Sequence, residues 1–333
     1  MAEQNGGTSA FFSWADGEHS RILSEPVPAT HRDMDALREQ LERAHWVASE
    51  PDMRADRDSL ARQGVAERRL VLGVLTFFAH FDRLVLAGFD SGMVSEVNCI
   101  EASDFYSAQI AQEAVHRRAY SRQLVEVLDA GEVAGAVAAL EGSGAVSRMA
   151  VWARAALAPA VPVGARLVAL AFVEGVLFCS SFASIQWFRE RNALPGVATM
   201  NEFIARDEAL HAAFSCLLVR RYLKPAARPA AAAAHEIARA IVALADAFVA
   251  ETLPAPLPGL DAASLSTYVR SQADFVLGEM GYPVLFNVSN PFAFMVKLGL
   301  NRVAKTNFFE RDVSSYQAPG DGAFTVALDA DDD

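Results

Sequence analysis

The sequence predicts an all-α protein, a bundle of long helices closed around a buried polar centre. Apolar residues recur at three- and four-residue spacing through six long segments, and Gly88, Gly131, Pro162 and Pro225 fall between them as breaks. No run alternates polar and apolar residues as a strand would. Carboxylates also stand inside segments otherwise apolar enough to form a core, which predicts the polar centre.

The first periodic segment is DMDALREQLERAHWV (33–47), polar on one side and apolar on the other. RRLVLGVLTFFAHFDRLVLAGF (68–89) follows, apolar nearly all round, with Asp82 in its second half. IEASDFYSAQIAQEAVHRRAYSRQLVEVL (100–128) carries Glu113, His116 and Tyr120 three and four residues apart, one stripe of a helix with 3.6 residues per turn. LVALAFVEGVLFCSSFASIQWF (167–188) is long enough to span a membrane, but Glu174 sits in its middle and no second span accompanies it. It therefore reads as a core helix of a soluble protein. MNEFIARDEALHAAFSCLLVRRYL (200–223) and the alanine-rich AAAAHEIARAIVALADAFVAETL (231–253) complete the set.

Composition bounds the function classes. In 333 residues, 52% are hydrophobic, enough for a sizeable core. The net charge of −12, with no basic stripe, argues against nucleic acid as a partner. Cys99, Cys179 and Cys216 are widely spaced and suit a reducing compartment, hence the cytoplasm, or the host cytoplasm if the source is viral. The N-terminus has no basic start followed by an apolar run, so no signal peptide is expected. Residues 1–33, rich in Gly, Ser and Pro, are expected to be poorly ordered, 34–308 to form the helical domain, and 309–333 to be a flexible tail.

Two Glu-x-x-His matches lie on apolar helices, Glu113/His116 and Glu208/His211. Asp82 precedes Glu113 by 31 residues and Glu174 precedes Glu208 by 34, each gap suiting a helix, a turn and a return helix. Four helices thus offer four carboxylates and two imidazoles to one interior point, the pattern of a ferritin-like di-iron or di-manganese carboxylate bundle. Carboxylates bridge and neutralise two divalent ions, and neutral imidazoles complete their coordination. Without metal, four buried acids would repel one another and suffer desolvation. Chance supplies roughly half a Glu-x-x-His match at this composition. A third match, Glu42/His45, lies on the polar first helix with no apolar-context acid to partner it, and reads as a solvated pair.

Beyond these ligands the chain resembles the radical-generating small subunit of class I ribonucleotide reductase, in eukaryotic and herpesvirus-like form. The likeness runs from about Trp46 to the C-terminus. It is dense in QIAQEAVHRRAY, FVEGVLFCSSFASIQWFRERNALPG, TMNEFIARDEALH and FFERDVSSYQ. The resemblance implies two irons, with manganese as the variant, and O2 for activation. Asp82 and His116 would hold one ion, Glu174 and His211 the other, and Glu113 and Glu208 would bridge them. Tyr120 would carry the radical, although a buried phenol hydrogen-bonded to a ligand accounts for its spacing equally well. Phe178 and Phe182 would shelter it, a role compatible with plain core. Asp207 would bond His116 and meet Trp46, and Tyr316 would pass the oxidising equivalent to a large subunit. Trp46 alone, on an amphipathic helix, would read as packing.

The end, FTVALDADDD, resembles the tail that docks on the large subunit, through Phe324, Val326 and Leu328, but it finishes in acids where relatives finish apolar. The expected product is a homodimeric small subunit of ribonucleoside-diphosphate reductase, with no nucleic acid or membrane partner. Its rivals are a ferritin-like iron store or ferroxidase, a di-iron oxidase or oxygenase with its own organic substrate, and an inactive scaffold. An iron store has no use for Trp46, Asp207, Tyr316 or a docking tail. A scaffold has no reason to keep all six ligands.

Overall fold

The computed structural model describes residues 11–13, 23–88 and 93–297, without the side chains of 82–88 and 94. Among the described residues the regular elements are helical. α1 (Arg32–Arg43) leads through α2 (Asp56–Ala61) to α3 (Val65–Gly88), and α4 (Val94–Val97) to the 28-residue α5 (Ile100–Val127). α6 (Ala130–Glu141) and α7 (Gly144–Ala156) connect to α8 (Val163–Phe172), which runs through a π turn (Val173–Leu177) into α9 (Cys179–Glu190). α10 (Pro195–Leu217), also ending in a π turn (Leu218–Tyr222), precedes α11 (Ala231–Thr252) and α12 (Ala262–Glu279).

α3 packs on α5, and α10 on α8, the first π turn and α9, which are the two return pairs expected from the 31- and 34-residue gaps. α1 closes one side of α5 and α10, and α11 with α12 closes the other side of α8 and its π turn. The breaks expected at Pro162 and Pro225 hold, Gly88 is the last described residue of α3, and Gly131 lies in the first turn of α6, because Asp129 caps that helix with its side chain on Glu132 N–H. The segment Val163–Glu190 has a mean hydropathy of 1.9 in its most apolar window, but 94% of that window is buried inside the protein. It is a core helix, as its central glutamate implied.

Two expectations need correction. The N-terminal segment is not uniformly loose up to residue 33. Phe12 is buried and its segment pairs in antiparallel fashion with Leu223, through Ser13 N–H to Tyr222 O and Lys224 N–H to Phe11 O. His31 is buried as well, because it packs against the start of α5. Trp46 is not on a helix: Ala44 closes α1 by bonding back to Gln40 O and Leu41 O, and the chain leaves the helix before the indole. Tyr316, Phe324, Val326 and Leu328 lie outside the described residues.

α10 carries three candidate site residues, and its first turn is capped from α2. Asp56 accepts the N–H of Gly196 and of Val197, each at 3.0 Å, and Ser59 Oγ accepts that of Leu194 at 3.0 Å. Pro195 has no N–H to satisfy, so the free donors of this turn are matched one for one. Close approach requires glycine at 196, where a Cβ would stand 2.3 Å from Asp52 O. Asp56→Ala is expected to cost about 1–3 kcal/mol, since it strands two buried donors, and to lower Tm by several degrees in thermal unfolding. Asp52→Ala, which removes an exposed ion pair with Arg54 and an exposed bond to its backbone N–H, should leave Tm nearly unchanged.

Candidate metal centre

α5 and α10 each present a Glu-x-x-His to the interior, and the two motifs face each other. His116 Nδ1 lies 3.4 Å from Glu113 Oε2 and 3.1 Å from Glu208 Oε1. His211 Nδ1 lies 3.2 Å from Glu113 Oε1 and 3.2 Å from Glu208 Oε2. Each imidazole therefore addresses both carboxylates through the same ring nitrogen, and each carboxylate turns one oxygen to either imidazole. Glu174, on the π turn, joins from the third side: ligand atoms of Glu113, Glu174, Glu208 and His211 all fall within 4.8 Å of one another. The π turn suits this place, since an i→i+5 step inserts a residue and re-aims the side chain. Asp82 lies on α3, which packs on α5, but its side chain is outside the described residues.

The donors fit a pair of metal ions. All five described ligands are buried, and none of the donor atoms is sulfur, which favours hard or borderline divalent ions such as iron or manganese. Glu113 Oε1 and His116 Nδ1 are buried with no well-directed hydrogen bond in the protein, so the protein alone leaves them unsatisfied. Burial pushes the Glu113 and Glu208 carboxyls up, and the Glu208 charge adds to this at Glu113. The two imidazoles, each within 3.4 Å of both acids, outweigh it and hold the two acids below the usual range. Burial pulls the imidazoles down, but the carboxylates overcome it: His116, beside Asp207, Glu113 and Glu208, is well above its ordinary value, and His211 is raised to about 9. Metal-free, the centre balances its acids with protons on the imidazoles.

Behind the ligands the two imidazoles have unlike supports. His116 Nε2 meets Asp207 Oδ2 at 3.2 Å, and the same oxygen accepts the Trp46 Nε1–H at 2.7 Å. The indole stacks near His116, centroids 6.1 Å apart and planes 25° apart. The expected trio of Trp46, Asp207 and His116 is thus in contact. His211 Nε2 instead meets the amide oxygen of Gln112 at 2.9 Å, and Gln109 Nε2–H donates to Glu174 Oε1 at 3.0 Å.

Gln109, Gln112 and Arg206 escaped the sequence reading. The two glutamines stand four and one residues before Glu113 on the polar stripe of α5, and that stripe was the available signal. Arg206 donates to Asp207 Oδ1 and to Ala44 O at 2.5 Å, tying the buried acid to the end of α1 just before Trp46.

Tyr120, one turn beyond His116, is buried and stacks on Phe78 at 4.8 Å and 7°. Phe78 in turn touches Phe182 at 4.9 Å and Phe178 at 6.1 Å, so the two expected phenylalanines reach the phenol's wall through Phe78. Phe78, four residues before Asp82, was also missed. Glu42 of the third motif is exposed and paired with Arg38, as expected of a solvated acid.

Comparisons with known proteins identify the family. The family model for the ribonucleotide reductase small chain matches residues 25–291. The ribonucleoside-diphosphate reductase small chain of African swine fever virus is 35% identical over 312 residues, 92% of this chain and 95% of that one. Its vaccinia virus (strain Ankara) counterpart is 33% identical over 308 residues, 91% and 95% of the two chains. Among solved structures, the ribonucleotide reductase Rnr4 homodimer from Saccharomyces cerevisiae is similar with a TM-score of 0.74 and 24% identity, over 86% of this chain and 89% of that one. The dimanganese(II)-NrdF of Streptococcus sanguinis is similar with a TM-score of 0.69 and 16% identity, over 83% and 98%. These two structures speak to the fold.

Because the raised imidazoles hold protons at neutral pH, a metal ion must displace them. Loading the metal-free protein with ferrous ion at pH 7 is expected to release about two protons per chain, with apparent affinity climbing as pH rises towards 9. Titration in weak buffer with a pH indicator checks this, and pH-independent loading would contradict the assignment.

Proposed function

The chain belongs to the ribonucleotide reductase small-chain family, and from that membership we propose how its residues work. It is the small subunit of a ribonucleoside-diphosphate reductase, the oxidoreductase that turns ribonucleotides into deoxyribonucleotides together with a large subunit. The observation that carries the reading is the pair of facing Glu-x-x-His motifs with Trp46, Asp207 and His116 hydrogen-bonded in line behind one of them.

In this reading Glu113 and Glu208 would be shared between two ions, His116 with Asp82 would serve one of them, and His211 with Glu174 the other. The metals are two irons; manganese suits the same donors. Held there, two such ions would supply, with O2, the oxidising chemistry that removes one electron from a nearby phenol. Tyr120 gives that electron and its hydroxyl proton. Phe78, Phe178 and Phe182 keep water and small reductants from the resulting radical. Asp207 fixes the ring orientation of His116, accepts the indole hydrogen and joins the two rings into one path. From Trp46 the oxidising equivalent reaches Tyr316 and then the large subunit, which holds the tail through Phe324, Val326 and Leu328. The active form is a homodimer. The three cysteines are free and buried, which supports a cytoplasmic location.

A reductase subunit accounts for more of the molecule than the rivals do. An iron store has no use for the Trp46–Asp207 bond. An oxidase needs space for its organic substrate, yet the cavity beside Glu174 and Glu208, lined also by Phe182, Cys179 and Tyr268, measures about 30 Å³, room for a water or two.

Ferrous iron and O2 added to the metal-free protein should produce a tyrosyl EPR signal that Tyr120→Phe abolishes while iron content stays the same. Iron uptake without an organic radical would sink the tyrosyl reading. Asp207→Asn should still form the radical but lose about 10–100-fold in ribonucleotide reduction with the large subunit. Equal loss of radical yield and turnover would instead place Asp207's role in assembling the metal centre.

A further inference from the structure

A second convergence of metal-binding side chains lies where the N-terminal segment meets α5, and no part of the reductase reading uses it. His31 stands at the start of α1, Cys99 immediately before α5 and Glu101 in the first turn of α5. All three are buried, at 1%, 4% and 3% exposure. His31 Nδ1 lies 3.0 Å from Glu101 Oε2, Cys99 Sγ lies 3.3 Å from the same oxygen, and Sγ lies 3.8 Å from the imidazole nitrogen. One nitrogen, one sulfur and one oxygen thus form a triangle that brings together segments 70 residues apart.

The size of that triangle is informative. With zinc bonds of about 2.3 Å to sulfur and 2.0–2.2 Å to nitrogen and oxygen, tetrahedral angles put neighbouring donors about 3.3–3.6 Å apart. The three observed edges scatter around that range by a few tenths of an ångström. The donor set of thiolate, imidazole and carboxylate is also one that zinc takes readily, whereas the bridged centre has no sulfur among its ligands. Glu101 precedes Glu113 by 12 residues, about 18 Å along the helix, so the two sites are separate.

We propose that His31, Cys99 and Glu101 bind a single zinc ion, with water as the fourth ligand, which clasps the N-terminal segment to the first turn of α5. Binding releases the Cys99 thiol proton. Burial raises that thiol to about 12, so an ion that stabilises the thiolate is required before it ionises near neutral pH. The clasp fixes the start of α1 against the helix that carries Glu113, His116 and Tyr120. Without an ion the same atoms form a small hydrogen-bonded cluster, with the thiol donating to Glu101.

Cobalt(II) reports sulfur ligation directly. Added to the metal-free full-length protein, it is expected to give a near-ultraviolet sulfur-to-cobalt charge-transfer band that zinc then bleaches. Cys99→Ser should remove the band and Cys179→Ala should keep it. Serine is a favoured residue at a helix N-cap, so Cys99→Ser preserves the start of α5, and His31→Ala provides an independent loss. With the bridged centre disabled by Glu208→Ala and His211→Ala, about one zinc per chain should remain, and adding Cys99→Ser should remove it. No sulfur band, or a band indifferent to both Cys99→Ser and His31→Ala, overturns the proposal and leaves a hydrogen-bonded thiol. Either result stands apart from the reductase reading, whose ligands lack sulfur and whose readout is the tyrosyl signal.

Discussion

Everything in this bundle is arranged around the cost of burying carboxylates close together. Glu113, Glu174 and Glu208 converge within one interior volume, nearly out of reach of solvent, and like charges so placed repel while each also loses its hydration. A core of this kind needs positive charge. Metal-free, the two imidazoles supply it by holding protons well beyond their ordinary range. Two divalent ions at the same atoms would supply more. The asymmetric supports follow from this demand: Gln109 and Gln112 offer neutral amides that orient Glu174 and His211 without adding charge. Asp207, the further acid in contact with the ligands, is matched by Arg206 on its other oxygen.

The asymmetry between the two halves has a functional edge. A carboxylate behind an imidazole makes it a stronger donor than an amide does and fixes its tautomer more firmly. His116 has that carboxylate and His211 does not. The same Asp207 oxygen also takes the indole hydrogen of Trp46, so the His116 half of the centre connects to a redox-capable side chain outside it. The connection depends on the end of α1 being held in place, and Arg206 does this by bonding the last carbonyl region of α1 and the relay acid at once. In the proposed reading, position rather than any special property of the indole would make Trp46 a relay.

The fold and the convergence of Glu113, His116, Glu174, Glu208 and His211 were legible because both rest on helical periodicity. Spacing of three and four residues puts a carboxylate and an imidazole on one face wherever the helix runs, and a 31- or 34-residue gap leaves little choice but a return pair. Features that break periodicity were not legible. The π turn at Glu174 reads as uninterrupted helix, since nothing in VEGVL marks an extra residue per turn. Trp46 follows helical spacing but sits beyond the last helical turn. Phe12 lies in a segment whose composition suggests disorder, and its burial depends on a partner more than 200 residues away, at Leu223. Contacts of that range leave no trace in local pattern. The glutamines were visible as a polar stripe, but a stripe facing a metal site and one facing water look alike until the partner helix is in place.

The same helix must satisfy two opposite demands, and this explains the sequence of α5 between residues 109 and 120. Up to His116 its inner face is polar, matching the carboxylates; one turn further, at Tyr120, its surroundings are the aromatic wall of Phe78, Phe178 and Phe182. The change takes place over about 5 Å, the rise of a single turn. A phenol further along the helix would be too far from the ligands to exchange an electron with them readily, and one nearer would stand among carboxylates and any water they hold. A dry wall next to a charged centre is stable only if the charged centre is itself neutralised, since otherwise water would be drawn in to solvate it. In the proposed reading, the protection of Tyr120 would therefore be a property of the neutralised centre as much as of the phenylalanines near it.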